Sequence, residues 1–78
     1  MNIMNNKITL NLYGERCTPI LTKVKKQVEL MNVGETLVID CDNQCALSKI
    51  RRYCNEMDYF VEVQRIDKDA MRYIIKIE

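Results

Sequence analysis

The sequence predicts an α/β protein, a two-layer α/β sandwich in the order β-α-β-α-β-β, with two helices on one face of a four-stranded mixed sheet. Three observations carry this. Four short stretches show strand-like apolar patterns, two longer stretches place apolar residues at helical spacing, and Gly or Asp stands at most changes of period. A strand–helix–strand step gives a parallel pair with a right-handed crossover, and two helices with one apolar face each can cover one side of the sheet.

The first strand is Ile8–Leu12, where Ile8, Leu10 and Leu12 alternate with Thr9 and Asn11. Gly14 ends it. Thr18 is a favoured N-cap residue and Pro19 suits the first helical position, so a helix is expected from Thr18 to about Asn32. Ile20, Val24, Val28 and Met31 form its apolar stripe, with Leu21 beside it. Gly34 is expected to end it in the left-handed conformation.

The second strand is Leu37–Cys41, opened by the buried-strand run Leu37, Val38, Ile39. Asp40 to Gln44 is polar and turn-like, and Asp42 or Asn43 can cap the next helix. Ala46, Ile50, Tyr53 and Met57 share one face of that helix, Leu47 and Cys54 lie alongside, and Asp58 closes it. Tyr59–Arg65 and Met71–Ile77 alternate again around a hairpin loop at Asp67-Lys68-Asp69.

The 78 residues are read as one domain, with a frayed terminus at Met1–Asn6. Hydrophobic residues make up 47% and charged ones 29%, which excludes a disordered chain. Twelve basic and 11 acidic residues leave a net charge of +1, so no bulk field draws the chain onto a membrane, and direct nucleic-acid binding is not expected. There is no apolar core of a signal peptide in Met1–Lys7 and no run of spanning length. The expectation is a cytoplasmic protein whose four cysteines are reduced. With no histidine, Cys–His nucleophilic pairs, His-containing zinc sites and a histidine base are all excluded. A zinc site from Cys17, Cys41 and Cys45 lacks a Cys-x-x-Cys pair, so neither metal nor cofactor is expected.

Cys17 stands out. A helix starting just after it places the sulfur at the positive end of the helix dipole, with Arg16 next to it, and both favour the nucleophilic thiolate. The turn at Gly14 should hold it at the surface. The alternative is a small buried cysteine at a tight turn. Cys45 falls at the second helix start. If the first two strands are parallel, both helices begin at one sheet edge, Cys45 is a candidate resolving thiol for Cys17, and mild oxidation is expected to link Cys17 to Cys45 or Cys41; otherwise Cys45 is a helix-start residue with no chemistry. Cys41 and Cys54 read as core residues, as do Tyr53 and Tyr73. Lys23, Lys25 and Lys26 make the first helix locally basic, either a solvated face or a docking surface for an acidic partner.

These residues resemble the TusA (SirA-like) sulfur-carrier family over residues 8 to 77. Gly14-Glu15-Arg16-Cys17 matches the start of that family's Gly-x-x-Cys-Pro-x-Pro motif, and Gly34-Glu35-Thr36-Leu37 matches its Gly-Glu turn. Asp42-Asn43-Gln44 sits at its acidic turn, Cys54 at its second-helix cysteine, and Arg72-Tyr73 at the start of its last strand. The proline frame differs: Thr18 and Ile20 stand at the two motif prolines, Pro19 at the variable position between them, and Gln44 at the proline of the acidic turn. The resemblance implies the same fold and a sulfur carrier of sulfurtransferase type. Cys17 would accept persulfide sulfur from a cysteine desulfurase or other donor and pass it to a downstream acceptor protein, in some members toward tRNA thiolation. Arg16, Thr18 and Pro19 would support that thiol. The alternative is a non-catalytic binding or regulatory module that retains the fold.

Overall fold

The computed structural model describes residues 7–43 and 45–77; the terminus expected to fray at Met1–Asn6, and Gln44, lie outside them. The element order is β1 (Lys7–Asn11), α1 (Cys17–Glu29), β2 (Thr36–Cys41), α2 (Ala46–Met57), β3 (Phe60–Arg65) and β4 (Met71–Lys76). The strands form one sheet in the order β1-β2-β4-β3. β1 runs parallel to β2, with Leu10 opposite Ile39, and the other pairs are antiparallel. This is the expected mixed α/β sheet.

The period of two puts one side chain set of the sheet against the helices. Leu37, Ile39 and Cys41 of β2 and Tyr73 and Ile75 of β4 join Ile20, Val24 and Val28 of α1 and Ala46, Ile50, Tyr53 and Cys54 of α2 in one buried cluster. Ile8, Leu10, Val61 and Val63 pack at its margins. Both helices therefore cover the same face. On the opposite face Asp40 and Arg72, paired across β2 and β4, make two bonds: Arg72 Nε donates to Oδ1 at 2.8 Å and Nη2 to Oδ2 at 3.1 Å. Tyr73 carries the one buried side-chain polar atom without a partner among the described residues, its hydroxyl. Burial first, then the neighbouring Cys41 thiol, push that hydroxyl up to about 12.

Strand ends shift by one residue from expectation, and both ends of α1 move. α1 starts at Cys17 rather than after Thr18, because the Arg16 carbonyl already accepts the first helical bond, from the Ile20 N–H at 3.0 Å. Pro19 is thus the third helical residue, where an N–H would have no partner in any case. α1 also ends before Gly34. Leu30 and Met31 donate three residues back, to Gln27 and Val28, which tightens and stops the helix. Gly34 does take positive φ, at 98°, but in the following turn, where its N–H donates to Ile77 O at 2.8 Å.

α2 ends at Asp58, which takes the left-handed conformation with φ 63°. A side chain there is strained, and glycine is the usual occupant. Asp58→Gly should therefore stabilise the protein by about 0.5–1 kcal/mol, and Asp58→Val should destabilise it by about 1–2 kcal/mol. Urea unfolding midpoints check this, and a less stable glycine variant contradicts it.

Candidate functional site

Parallel β1 and β2 deliver their following helices to the same edge of the sheet. The two loops there are joined by hydrogen bonds. Leu12 N–H donates to Asp40 O at 2.8 Å, and Gly14 N–H donates to the Asp42 carboxylate at 2.9 Å. Gly14 has φ 81°, a turn that L side chains resist.

Asn43 ties the loops at the thiols. Its Nδ2 donates to Glu15 O at 3.1 Å, and its Oδ1 accepts the Cys45 N–H at 3.0 Å. These two bonds fix the amide orientation, since a flip would break both. The same Oδ1 lies 3.3 Å from Cys17 Sγ, within reach of the proton of a Cys17 thiol. Cys17 is the first residue of α1, and Cys45 is the N-cap of α2. Their sulfurs are in bonding contact as a disulfide, with the Cα atoms 6.0 Å apart. That span suits a cystine without backbone movement. Two of the four cysteines expected to be reduced are thus placed within cystine distance of each other.

Exposure separates the pair. Cys17 is only 9% exposed, whereas Cys45 is exposed. The turn at Gly14 does not hold Cys17 open at the surface as expected, because the cross-loop bonds close over it and Cys45 stands outside. Neither helix has an acidic residue in its first turn or a side-chain cap bond. Both sulfurs therefore sit at positive helix ends with no acidic residue in the first turn, although at α2 Asn43 accepts the Cys45 and Ala46 N–H groups.

The other candidates resolve as follows. Arg16 is the exposed N-cap of α1, adjacent in sequence to Cys17. Thr18 is exposed and caps nothing with its side chain; its carbonyl accepts the Thr22 hydroxyl at 3.0 Å. Pro19 is exposed in the first turn. Ile20 is fully buried, and its N–H makes the bond to Arg16 that a proline there could not make. Of the basic residues on α1, Lys23 pairs with Glu15 at 2.9 Å, and the Lys25 ammonium lies 5.5 Å from the centre of the Tyr53 ring. Cys41 and Cys54 are free and fully buried. Burial pushes the Cys54 thiol up to about 11 and also raises Cys41. Asn43 is the residue that sequence reasoning saw only as a possible cap. Its place two residues before a helix-start cysteine, where Asx turns form, was the available signal. Among the described residues no three metal-ligating side chains converge.

A family model described as Sulfurtransferase TusA matches residues 8–77. The chain belongs to the TusA family. Membership supports a sulfur-carrier or sulfurtransferase role in general, with sulfur donor and acceptor proteins as partners. No described helix is long and apolar enough to cross a membrane.

The four thiols should differ sharply. In reduced, folded protein, iodoacetamide at neutral pH should label Cys45 fastest and Cys17 next, with Cys41 and Cys54 slower by about a hundredfold or more. Mass spectrometry of peptides over time checks the order, and early labelling of Cys54 contradicts it. The raised thiol and phenol also set an alkaline limit. Cys54 moves from 9.0 to about 11 and Tyr73 from 10.0 to about 12 on folding, so the folded state holds more protons in that range. Their contribution is fully present below about pH 9 and is lost as pH rises toward 11 and then 12. Stability should therefore fall across that window, and Tyr73→Phe should flatten the upper part of the fall. A pH series of urea unfolding curves measures it.

Proposed function

We propose that this chain, read as a single carrier domain over residues 1–78, accepts sulfane sulfur on Cys17 and relays it as a persulfide to an acceptor protein. The observation that supports this best is the position of Cys17: the residue that the motif resemblance aligns with the family's sulfur-accepting cysteine is the first residue of α1, at a positive helix end with no acidic residue in its first turn. In the reduced protein the Cys17 thiolate attacks the outer sulfur of a donor persulfide, such as that of a cysteine desulfurase, and the donor thiolate leaves. An acceptor cysteine then attacks the outer sulfur on Cys17, and Cys17 leaves as thiolate. Arg16 supplies a positive charge next to the site, while Thr18 and Pro19 form the first turn that presents it. Such a cycle belongs to a reducing compartment, the cytoplasm, with tRNA thiolation as one destination of the sulfur.

The 9% exposure of Cys17 and its covering by Cys45 favour a second reading, a non-catalytic binding or regulatory module that keeps the fold. One experiment separates the two. Pre-reduced protein is incubated with a cysteine desulfurase and cysteine, and its intact mass is measured. The carrier gains the mass of one sulfur atom, and Cys17→Ser abolishes the gain while leaving the far-ultraviolet circular dichroism unchanged. If the wild-type protein gains nothing, or the serine variant still gains sulfur, the module reading takes over.

A further inference from the structure

We propose that Cys45 is a second catalytic thiol of the carrier: it attacks the persulfide on Cys17, expels the outer sulfur as hydrosulfide and closes the Cys17–Cys45 disulfide. The proposal rests on the reading above, in which Cys17 takes up sulfur. Three observations carry it. The backbones at 17 and 45 are 6.0 Å apart and already in cystine register. Asn43 holds that register by joining Glu15, one loop, to Cys45, the other. Cys45 is exposed and caps α2 at a positive helix end without acidic neighbours in the first turn, so it is free to act as the attacking thiolate.

The step balances. The Cys45 thiolate forms a bond to Cys17 Sγ. The bond between that sulfur and the outer sulfur breaks, and its electron pair leaves with the outer sulfur as hydrosulfide, which keeps the persulfide proton. The outer sulfur is reduced while the two cysteine sulfurs end as a disulfide. A dithiol reductant, or two thiols in turn, reopens the pair. Geometry selects the inner sulfur as the point of attack, because the loops are spaced for two sulfurs and not for three in a row. Hydrosulfide is also a better leaving group than an ordinary alkyl thiolate. Relay and discharge thus use different atoms: an acceptor protein takes the outer sulfur from outside, and Cys45 takes the inner one from within.

The test loads reduced protein with glutathione persulfide, removes the excess by desalting, and follows intact mass and hydrosulfide release without added thiol. Wild-type protein should release about one hydrosulfide per chain and end two hydrogens lighter than the reduced form. Cys45→Ser should keep the added sulfur on Cys17 and release hydrosulfide about tenfold more slowly or less. Serine is a good N-cap and position 45 is exposed, so this variant should fold; Cys45→Ala gives the same readout without the hydroxyl. If the serine and alanine variants release hydrosulfide at the wild-type rate, or wild-type protein stays persulfidated, discharge by Cys45 is overturned while the carrier reading stands. If no variant containing Cys17 gains sulfur, the carrier reading fails and discharge fails with it.

Discussion

The parallel pairing of β1 with β2 is the constraint on which the thiol pair depends. Cys17 and Cys45 are 28 residues apart and have no local reason to meet. With Lys7 opposite Thr36 and Asn11 opposite Asp40, both strands end at one edge, and each chain segment must turn there into its helix. The register is set by burial, since a slip of one residue would turn Leu37 and Ile39 away from the helices. Core packing thus fixes the distance between two sulfurs that lie outside most of that core.

Most of the architecture was legible because the two periods hardly interfere. Ile8, Leu10 and Leu12 could only be a strand, and Ile20, Val24 and Val28 a helical stripe. The helix ends were less legible. Thr18 and Pro19 are good starting residues, yet backbone bonding began at Arg16, because a proline is tolerated anywhere its N–H would be unbonded. Gly34 signalled a left-handed residue correctly but not which turn it served. At the site, the shared edge for Cys17 and Cys45 followed from topology. The occlusion of Cys17 did not, because the loops around it are joined by bonds, from the Gly14 N–H to Asp42 and from the Asn43 amide to Glu15, that no periodicity encodes.

The departures from the family's proline frame have a structural sense. Ile20 fills the core and donates a helical bond, two things a proline at that position would not do together. The first turn of α1 is therefore held by ordinary helical bonding and by Asn43 across the gap rather than by two rigid rings. The four cysteines divide by place: two are sealed beneath the helices and stay protonated, and two stand where helix ends and loops converge.

The closed cystine also ties together two segments of chain, and that has a consequence for persistence. A cross-link spanning 28 residues removes loop entropy from the unfolded chain, worth about 3–4 kcal/mol on the chain-entropy view. A protein of this length has a total folding free energy of only roughly 4–12 kcal/mol. Oxidised molecules would then open globally several hundredfold less often than reduced ones at equilibrium. Proteases that act on opened chains would find mainly the reduced form. The redox state of one cystine would thereby set the lifetime of the chain as well as its chemistry.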